Sequence, residues 1–308
     1  MSQKEKQTLV LIDGNAIIHR AYHALPPMTR KGGEPVHAVY GFATMLLRVI
    51  DELAPTHMAV AFDVAGGTFR DKVFEDYKAH RVAADKELYD QIPLAHDLVR
   101  AFGIPIYTKE GFEADDIIGT IATHAPEDMA VIIVTGDKDL LQLVNSRIQV
   151  YLLRKGLSDT RLVDRDGVRD IYGFFPEYVR TYKALAGDSS DNIPGVSGIG
   201  EKGAKDLIAS GGDLDSIYAA GEALIEKGVK AGLIKKLLAD EKGARMSFQL
   251  ATIHTDVPEV DFSPAALDFS GIKKETLVPF LQEMEFSSLV RRLSIQGSLQ
   301  KTKQDSKE

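Results

Sequence analysis

The 308-residue sequence contains no cysteine and no tryptophan, and aromatic residues make up only 7% of it. Without cysteine there can be no disulfide framework, no thiolate zinc site and no thiol nucleophile. Long apolar runs are also missing. The opening segment, MSQKEKQTLVLID, holds only a short apolar stretch before Asp13, too short for a secretory leader or a membrane span. A soluble, cytoplasmic protein without a membrane partner is expected. The histidines form no metal-binding group: His19 and His23 have the i, i+4 spacing of a zinc-protease helix, but Arg20 stands where its glutamate belongs.

What is present is a hydrophobic content of 44%, enough to bury one large core or two ordinary ones. The formal charge of −8 argues at first against a nucleic-acid partner, because phosphate contacts leave a basic imprint. The placement of the acids weakens that objection. Setting aside nine carboxylates singled out below as metal-neutralised brings the balance to about +1.

Three short apolar runs read as buried parallel strands: Leu9 to Asp13 (LVLID), Met58 to Asp63 (MAVAFD) and Val131 to Asp137 (VIIVTGD). Each ends in an aspartate. Helical spacing over Val39 to Leu53, Asp85 to Phe102 and Ala114 to Thr123 separates or follows them. The alternation predicts an α/β fold with a mostly parallel sheet and helices on both faces. Ligands of such sheets bind beyond the carboxyl ends of the strands, where Asp13, Asp63 and Asp137 fall. From Ala65 to Asp90 runs an excursion rich in both charges and opened by Gly66-Gly67. After about Phe175 the strand signals give way to short helical segments, which predicts a helical lobe over 176–292, after a core over 1–175. A polar tail or linker is expected over 293–308.

GFEADDIIG (Gly111 to Gly119) sets Glu113, Asp115 and Asp116 at the start of an apolar helix, where capping is the plain alternative. TGDKDL adds Asp139 beside Asp137, again open to reading as a turn. GDSSDNIPG supplies Asp188 and Asp191, which one helical turn would present together, or which belong to a loop entering a helix. Like charges about 4 Å apart repel by roughly 4 kcal/mol at an effective dielectric of about 20, so a cluster of these acids needs cations or protons. Oxygen-only donors favour magnesium or manganese, and two such ions suit hydrolysis of a phosphodiester. Downstream, GVSGIGEKGAK matches GxGxxG with no strand before it, so a dinucleotide site is disfavoured. A hairpin between two helices fits better. Its glycines would admit a DNA phosphate to backbone N–H groups with Lys202 and Lys205 adding charge, or would simply make a tight turn.

The motifs LIDGN, AFD, YKAHR, GFEADDIIG, TGDKDL and GDSSDNIPGVSGIGEKGA follow one another over about Thr8 to Arg292. In this the chain resembles the 5′-nuclease (5′-3′ exonuclease) domain of bacterial DNA polymerase I and, more broadly, the flap endonuclease family. The resemblance implies that Asp13, Asp63, Glu113, Asp115, Asp116, Asp137, Asp139, Asp188 and Asp191 hold two Mg2+ or Mn2+ ions. It implies a helical arch at about 65–90, where Tyr77, Lys78 and Arg81 meet the strand. It also implies a helix–three-turn–helix element with a potassium ion, at Gly198, Gly200, Lys202 and Lys205. Arg20, Tyr22 and Lys183 join the DNA-binding residues, and Lys78, Arg81, Asp116 and Asp139 the catalytic ones.

Two departures stand out. Val82-Ala83-Ala84-Asp85 lacks the prolines usual in relatives, and Gly203 replaces a common threonine. The implied activity is hydrolysis near DNA 5′ ends, nicks and 5′ flaps, in primer removal and repair. RNA–DNA primers are a further substrate, and a polymerase domain in the parent chain a partner. The competing readings are a small-molecule phosphohydrolase and a DNA-junction-binding module without catalysis.

Overall fold

The computed structural model of the chain describes residues 7–81 and 85–295. Its sheet contains β1 (Thr8–Asp13), β2 (His57–Ala61), β3 (Ile106–Tyr107), β4 (Ala130–Thr135), β5 (Ile148–Lys155) and β6 (Asp159–Val163), in the order β3-β2-β1-β4-β5-β6. The pairings from β3 across to β5 are parallel, and β6 returns antiparallel to β5. The chain moves outward from β1 to β3, then crosses back to place β4 on the other side of β1. That reversal opens a crevice at the carboxyl ends of β1 and β4.

Helices α1 (Gly14–Ala24), α2 (His37–Leu53), α3 (Phe69–Val73), α4 (Lys86–Ala101), α5 (Ala114–His124), α6 (Arg165–Tyr172), α7 (Val179–Ala186), α8 (Glu201–Gly211), α9 (Leu214–Ala220), α10 (Ala231–Ala239) and α11 (Glu241–Ala251) follow in chain order. Side chains alternate along a strand, so β1 divides the interior in two. Val10 and Ile12 pack with Ile17, Phe42, Leu46 and Leu98 of α1, α2 and α4. Leu9 and Leu11 pack on the other face with Ile117 and Ile121 of α5, in a core that continues into Val179, Leu207 and Ile217 of the later helices. No helix among the described residues is long and apolar enough to cross a membrane.

The three expected strands form, but β2 and β4 stop two residues short of Asp63 and Asp137. Among the later helices, α10 ends and α11 begins at Asp240, whose carboxylate accepts from the Gly243 N–H. The excursion is not one helical arch. After the single short helix α3, residues 75–80 are turns, Lys78 has φ 54°, and 82–84 lie outside the described residues. The tail, from 296 onward, also lies outside them.

The expected lobe over 176–292 divides as well. Leu277, Leu281, Phe286 and Leu289 turn back onto the α2–α4 face of the core instead of joining the helices before them. Phe286, 2% exposed, meets the Tyr40 ring edge-on at 5.2 Å. Phe286→Ala is expected to cost about 3–5 kcal/mol in a denaturant titration, the usual result of emptying a buried aromatic site. A loss below about 1 kcal/mol would show that this return segment does not anchor the core.

Candidate active site

Strand ends and helix starts deliver the acids. The buried Asp13 carboxylate closes β1, accepts from the Ala16 N–H of α1 at 2.9 Å and from the Thr135 hydroxyl at 2.7 Å. Thr135 in turn accepts from the Asp137 N–H, and Asp137 from the Asp139 N–H, each at 2.9 Å. Asp63 accepts from the Ala114 N–H at the start of α5 at 2.7 Å. Five of the nine expected acids, Asp13, Asp63, Glu113, Asp115 and Asp137, line one cavity of about 250 Å3 together with Lys78 and Arg81.

Asp116 departs from the expected metal and catalytic role. It is fully buried, and each carboxylate oxygen already accepts twice: Oδ1 from Arg70 Nη2 (2.8 Å) and the His254 N–H (2.9 Å), Oδ2 from Arg70 Nη1 (2.8 Å) and the Glu113 N–H (3.1 Å). A carboxylate so occupied has no lone pair left for an ion. The capping reading holds for this residue. Arg70 itself, buried and also donating to the carbonyls of Leu250 and Thr252, was not singled out by the sequence. Nothing in its spacing separates it from the other charges of its stretch.

The chain's own cations hold four further acids. Lys78 Nζ lies 2.7 Å from Glu113 and 3.7 Å from Asp191, and Arg81 donates to Asp191 at 2.5 Å. These two bases come from a turn, not from one helical face. Tyr77, expected to meet DNA, is buried, with its hydroxyl directed at Glu113 and Asp191. Lys183, also expected to meet DNA, is buried between Asp139 and Asp188.

Asp188 and Asp191 sit in a loop closed by reciprocal backbone bonds between Asp188 and Ile193, not on a helical turn. That loop is stitched to the excursion. The Lys78 N–H donates to the Asp191 carbonyl at 3.0 Å, and the Asn192 side chain to the Asp76 carbonyl at 2.7 Å.

Burial, then the charges of Asp63 and Asp137, push Asp13 up to about 7 against its two hydrogen bonds. Burial and the charges of Asp13, Asp137, Glu113 and Asp139 push Asp115 well above the usual carboxylate range. Asp139 rises to about 8 through burial and Asp137, despite Lys183. Burial opposes charge on Lys183, but Asp139 and Asp188 more than offset it and hold the ammonium well above the ordinary lysine value. Acids that resist ionisation together are suited to sharing a cation, and an all-oxygen donor set fits a hard divalent ion. Among the described residues no three acids stand close enough to cage an ion without side-chain movement.

Away from the acids, Gly200 caps α8 and a Cβ there would meet nothing within 4 Å, so its backbone is open to close approach. Gly198 has φ +75° and its carbonyl accepts from Lys236 Nζ. Lys202 is exposed, while Lys205 pairs with Glu201. At Gly203 a Cβ would come within 2.9 Å of Leu233 Cδ1, which gives the missing threonine a packing reason. Arg20 donates to the carbonyls of Arg154 and Gly136 beside the acids, and the Tyr22 hydroxyl donates to Asp85.

Residues 8–173 match the family model described as 5′-3′ exonuclease, N-terminal resolvase-like domain, and residues 174–275 match 5′-3′ exonuclease, C-terminal SAM fold. The chain belongs to the 5′-3′ exonuclease family. Relatives of the chain include DNA polymerase I of Bacillus subtilis, 40% identical over 94% of the chain, and of Pseudomonas aeruginosa, 42% identical over 91%. The chain spans only about a third of their lengths, 32% and 31%. A structure of the bacteriophage T5 D15 flap endonuclease in a pseudo-enzyme–product complex with DNA and metal ions shares the fold: TM-score 0.64, 20% identity, over 90% of this chain and 98% of that one.

Asp116→Asn should destabilise the fold by about 3–5 kcal/mol in chemical denaturation, because it removes the nearest counter-charge of the buried Arg70 and leaves it only Glu113 at 3.4 Å. An unchanged midpoint would return Asp116 to the metal site. The raised carboxylates also set a sign for pH. Asp13 and Asp139 have folded values above the unfolded value of about 3.9, so their contribution to stability is full below that value. It is lost as pH rises through about 7 to 8. Thermal melts in chelator should therefore decline from pH 5 to 8 less steeply in Asp13→Asn than in the parent. Parallel declines would contradict the assignment.

Proposed function

We propose that the chain hydrolyses DNA phosphodiesters at 5′ ends, nicks and 5′ flaps, with divalent cations held by the carboxylate cavity. The observation that carries this reading is the convergence of Asp13, Asp63, Glu113, Asp115 and Asp137 on one cavity with Lys78 and Arg81 at its edge. A small-molecule phosphohydrolase would account for the acids but leave the open glycine hairpin at 195–202 without a role. The T5 flap endonuclease, with DNA and metal ions in its structure, points the same way.

Two ions, magnesium or manganese, would be held by Asp13, Asp63, Glu113, Asp115 and Asp137 on one side and by Asp137, Asp139, Asp188 and Asp191 on the other. Bound there, such ions activate a water and neutralise the leaving oxygen. Lys78 and Arg81 then hold the scissile phosphate over the acids, exchanging their bonds to Glu113 and Asp191 for bonds to phosphate oxygens. Tyr77 and Lys183 fix the positions of those acids, and Arg70 with Asp116 holds the first turn of α5.

Backbone N–H groups around Gly198 and Gly200, with Lys202 and Lys205, would grip the duplex, aided by a potassium ion. Arg20 lies against Gly136 near the strand's path. An RNA–DNA primer is a further substrate, and a polymerase domain of a longer parent chain the natural user of the product.

Incubation with 5′-flap, nicked and single-stranded substrates, with and without Mg2+, tests the reading: product bands that depend on the ion and vanish with chelator are expected. Lys78→Ala should slow single-turnover flap cleavage by about 100- to 1,000-fold, as for loss of a preorganised charge at a transition state, with duplex affinity nearly unchanged. A rate within about twofold of the parent, only about 0.4 kcal/mol of barrier, would remove Lys78 from the chemistry.

A further inference from the structure

A cavity of about 240 Å3 lies among α7, α9 and α11 and shares no residue with the carboxylate cavity. Its lining carries Arg180, Thr181 and Arg245 beside Glu177, Asp213 and Asp215, so by formal count the acids outnumber the bases. Each acid already has a partner. Glu177 pairs with Arg165 at 2.6 Å and Asp215 with Arg245 at 2.8 Å, while Asp213 accepts from the Ser216 N–H at 2.8 Å in the first turn of α9. Arg245 is doubly taken, since Glu241 lies 2.7 Å from its Nη2.

Arg180 is different. Its guanidinium makes no hydrogen bond and no ion pair among the described residues and lies instead over the Phe248 ring, 5.1 Å from the centroid. An aromatic ring engages the face of a guanidinium and leaves the N–H donors in its plane free. Thr181, the next residue of α7, lines the same cavity, is 1% exposed, and has a hydroxyl with no hydrogen-bond partner. Buried polar groups are paired as a rule, so this hydroxyl lacks an acceptor that the cavity can supply.

The donor set selects its ligand. A guanidinium edge takes two oxygens of an oxyanion side by side, and a hydroxyl can take a third, which a phosphate has and a carboxylate has not. The cavity is below the usual size of a whole-ligand site and fits a group. Arg180 and Glu177 also line an adjoining cavity of about 440 Å3, walled in part by Leu143, Pro176 and Ile253, where the remainder of an ester has room.

We propose that Arg180 and Thr181 form a binding site for the phosphate group of an ester, set among α7, α9 and α11. The site does not depend on the nuclease reading, because none of its residues belongs to the carboxylate cavity.

The test is titration of the whole chain, in chelator and at constant ionic strength, with phenyl phosphate and with phenol, following the arginine Nε–H and backbone amide NMR signals. Phenyl phosphate should move the Arg180 Nε–H and Thr181 amide signals, and phenol should not. Arg180→Gln and Thr181→Val should each weaken phenyl phosphate binding by about tenfold, as for loss of a hydrogen bond to a charged group. Melting curves separate this role from a structural one. Thr181→Val removes an unpaired hydroxyl from the interior, so the free variant should melt no lower than the parent while its affinity falls.

A blunt duplex, added in place of phenyl phosphate, distinguishes the source of the phosphate. Movement of the same two signals assigns it to the nucleic-acid backbone, and their constancy, with phenyl phosphate bound, to a free ester. Three results overturn the site: signals of Arg180 and Thr181 that phenyl phosphate leaves unmoved, phenol binding as tightly as phenyl phosphate, or equal affinity in the parent and both folded variants.

Discussion

Mutual repulsion among acids brought to one end of the sheet is the constraint to which the rest of the site answers. The topology forces it, since β1, β2 and β4 run in one direction and each delivers an aspartate at or just beyond its end. Such a gathering is tolerated only where each carboxylate has something to offset its charge. The protein uses three devices. Helix starts take Asp13 and Asp63, buried or half-buried bases take Glu113, Asp116, Asp139, Asp188 and Asp191, and protons or metal ions are left for Asp115 and its neighbours.

Those devices explain why charged residues that look alike in the sequence have unlike fates. Asp115 and Asp116 are adjacent, but a helix turns about 100° per residue, so one faces the cavity and the other faces Arg70. Lys78 and Lys183 are both positive and near the acids. Lys78 lines the carboxylate cavity and keeps part of its side chain exposed, while Lys183 is sealed between two carboxylates. Proximity to the chemistry is therefore a poor guide to participation in it.

Much of this was legible in the chain. The strand runs ending in aspartate, the helices after them and the ordered motifs located the sheet, the crevice and most of the acidic cluster. Periodicity did not reveal α1, because LIDGN reads as a strand end, nor β5 and the edge strand β6, whose sequences IQVYLLRK and DTRLV mix charge with apolar residues. Arg70 escaped notice since a buried ion pair between residues 46 positions apart has no local signature. The return of Phe286 and its neighbours to the first core face was hidden for a similar reason: an amphipathic segment records that it packs, not against what.

The stitching of the Asp188–Ile193 loop to the excursion gives the molecule a mechanical property. Lys78 and Asn192 both hold left-handed backbones, at φ 54° and 58°, and each tethers its own segment to the other. Non-glycine residues keep such conformations only where surrounding bonds enforce them. Neither segment can relax while the other is held, so the two travel as one piece. The same loop leads directly into the glycine hairpin at 195–202, so only a short stretch of backbone separates that hairpin from the bonds that hold the turn carrying Lys78.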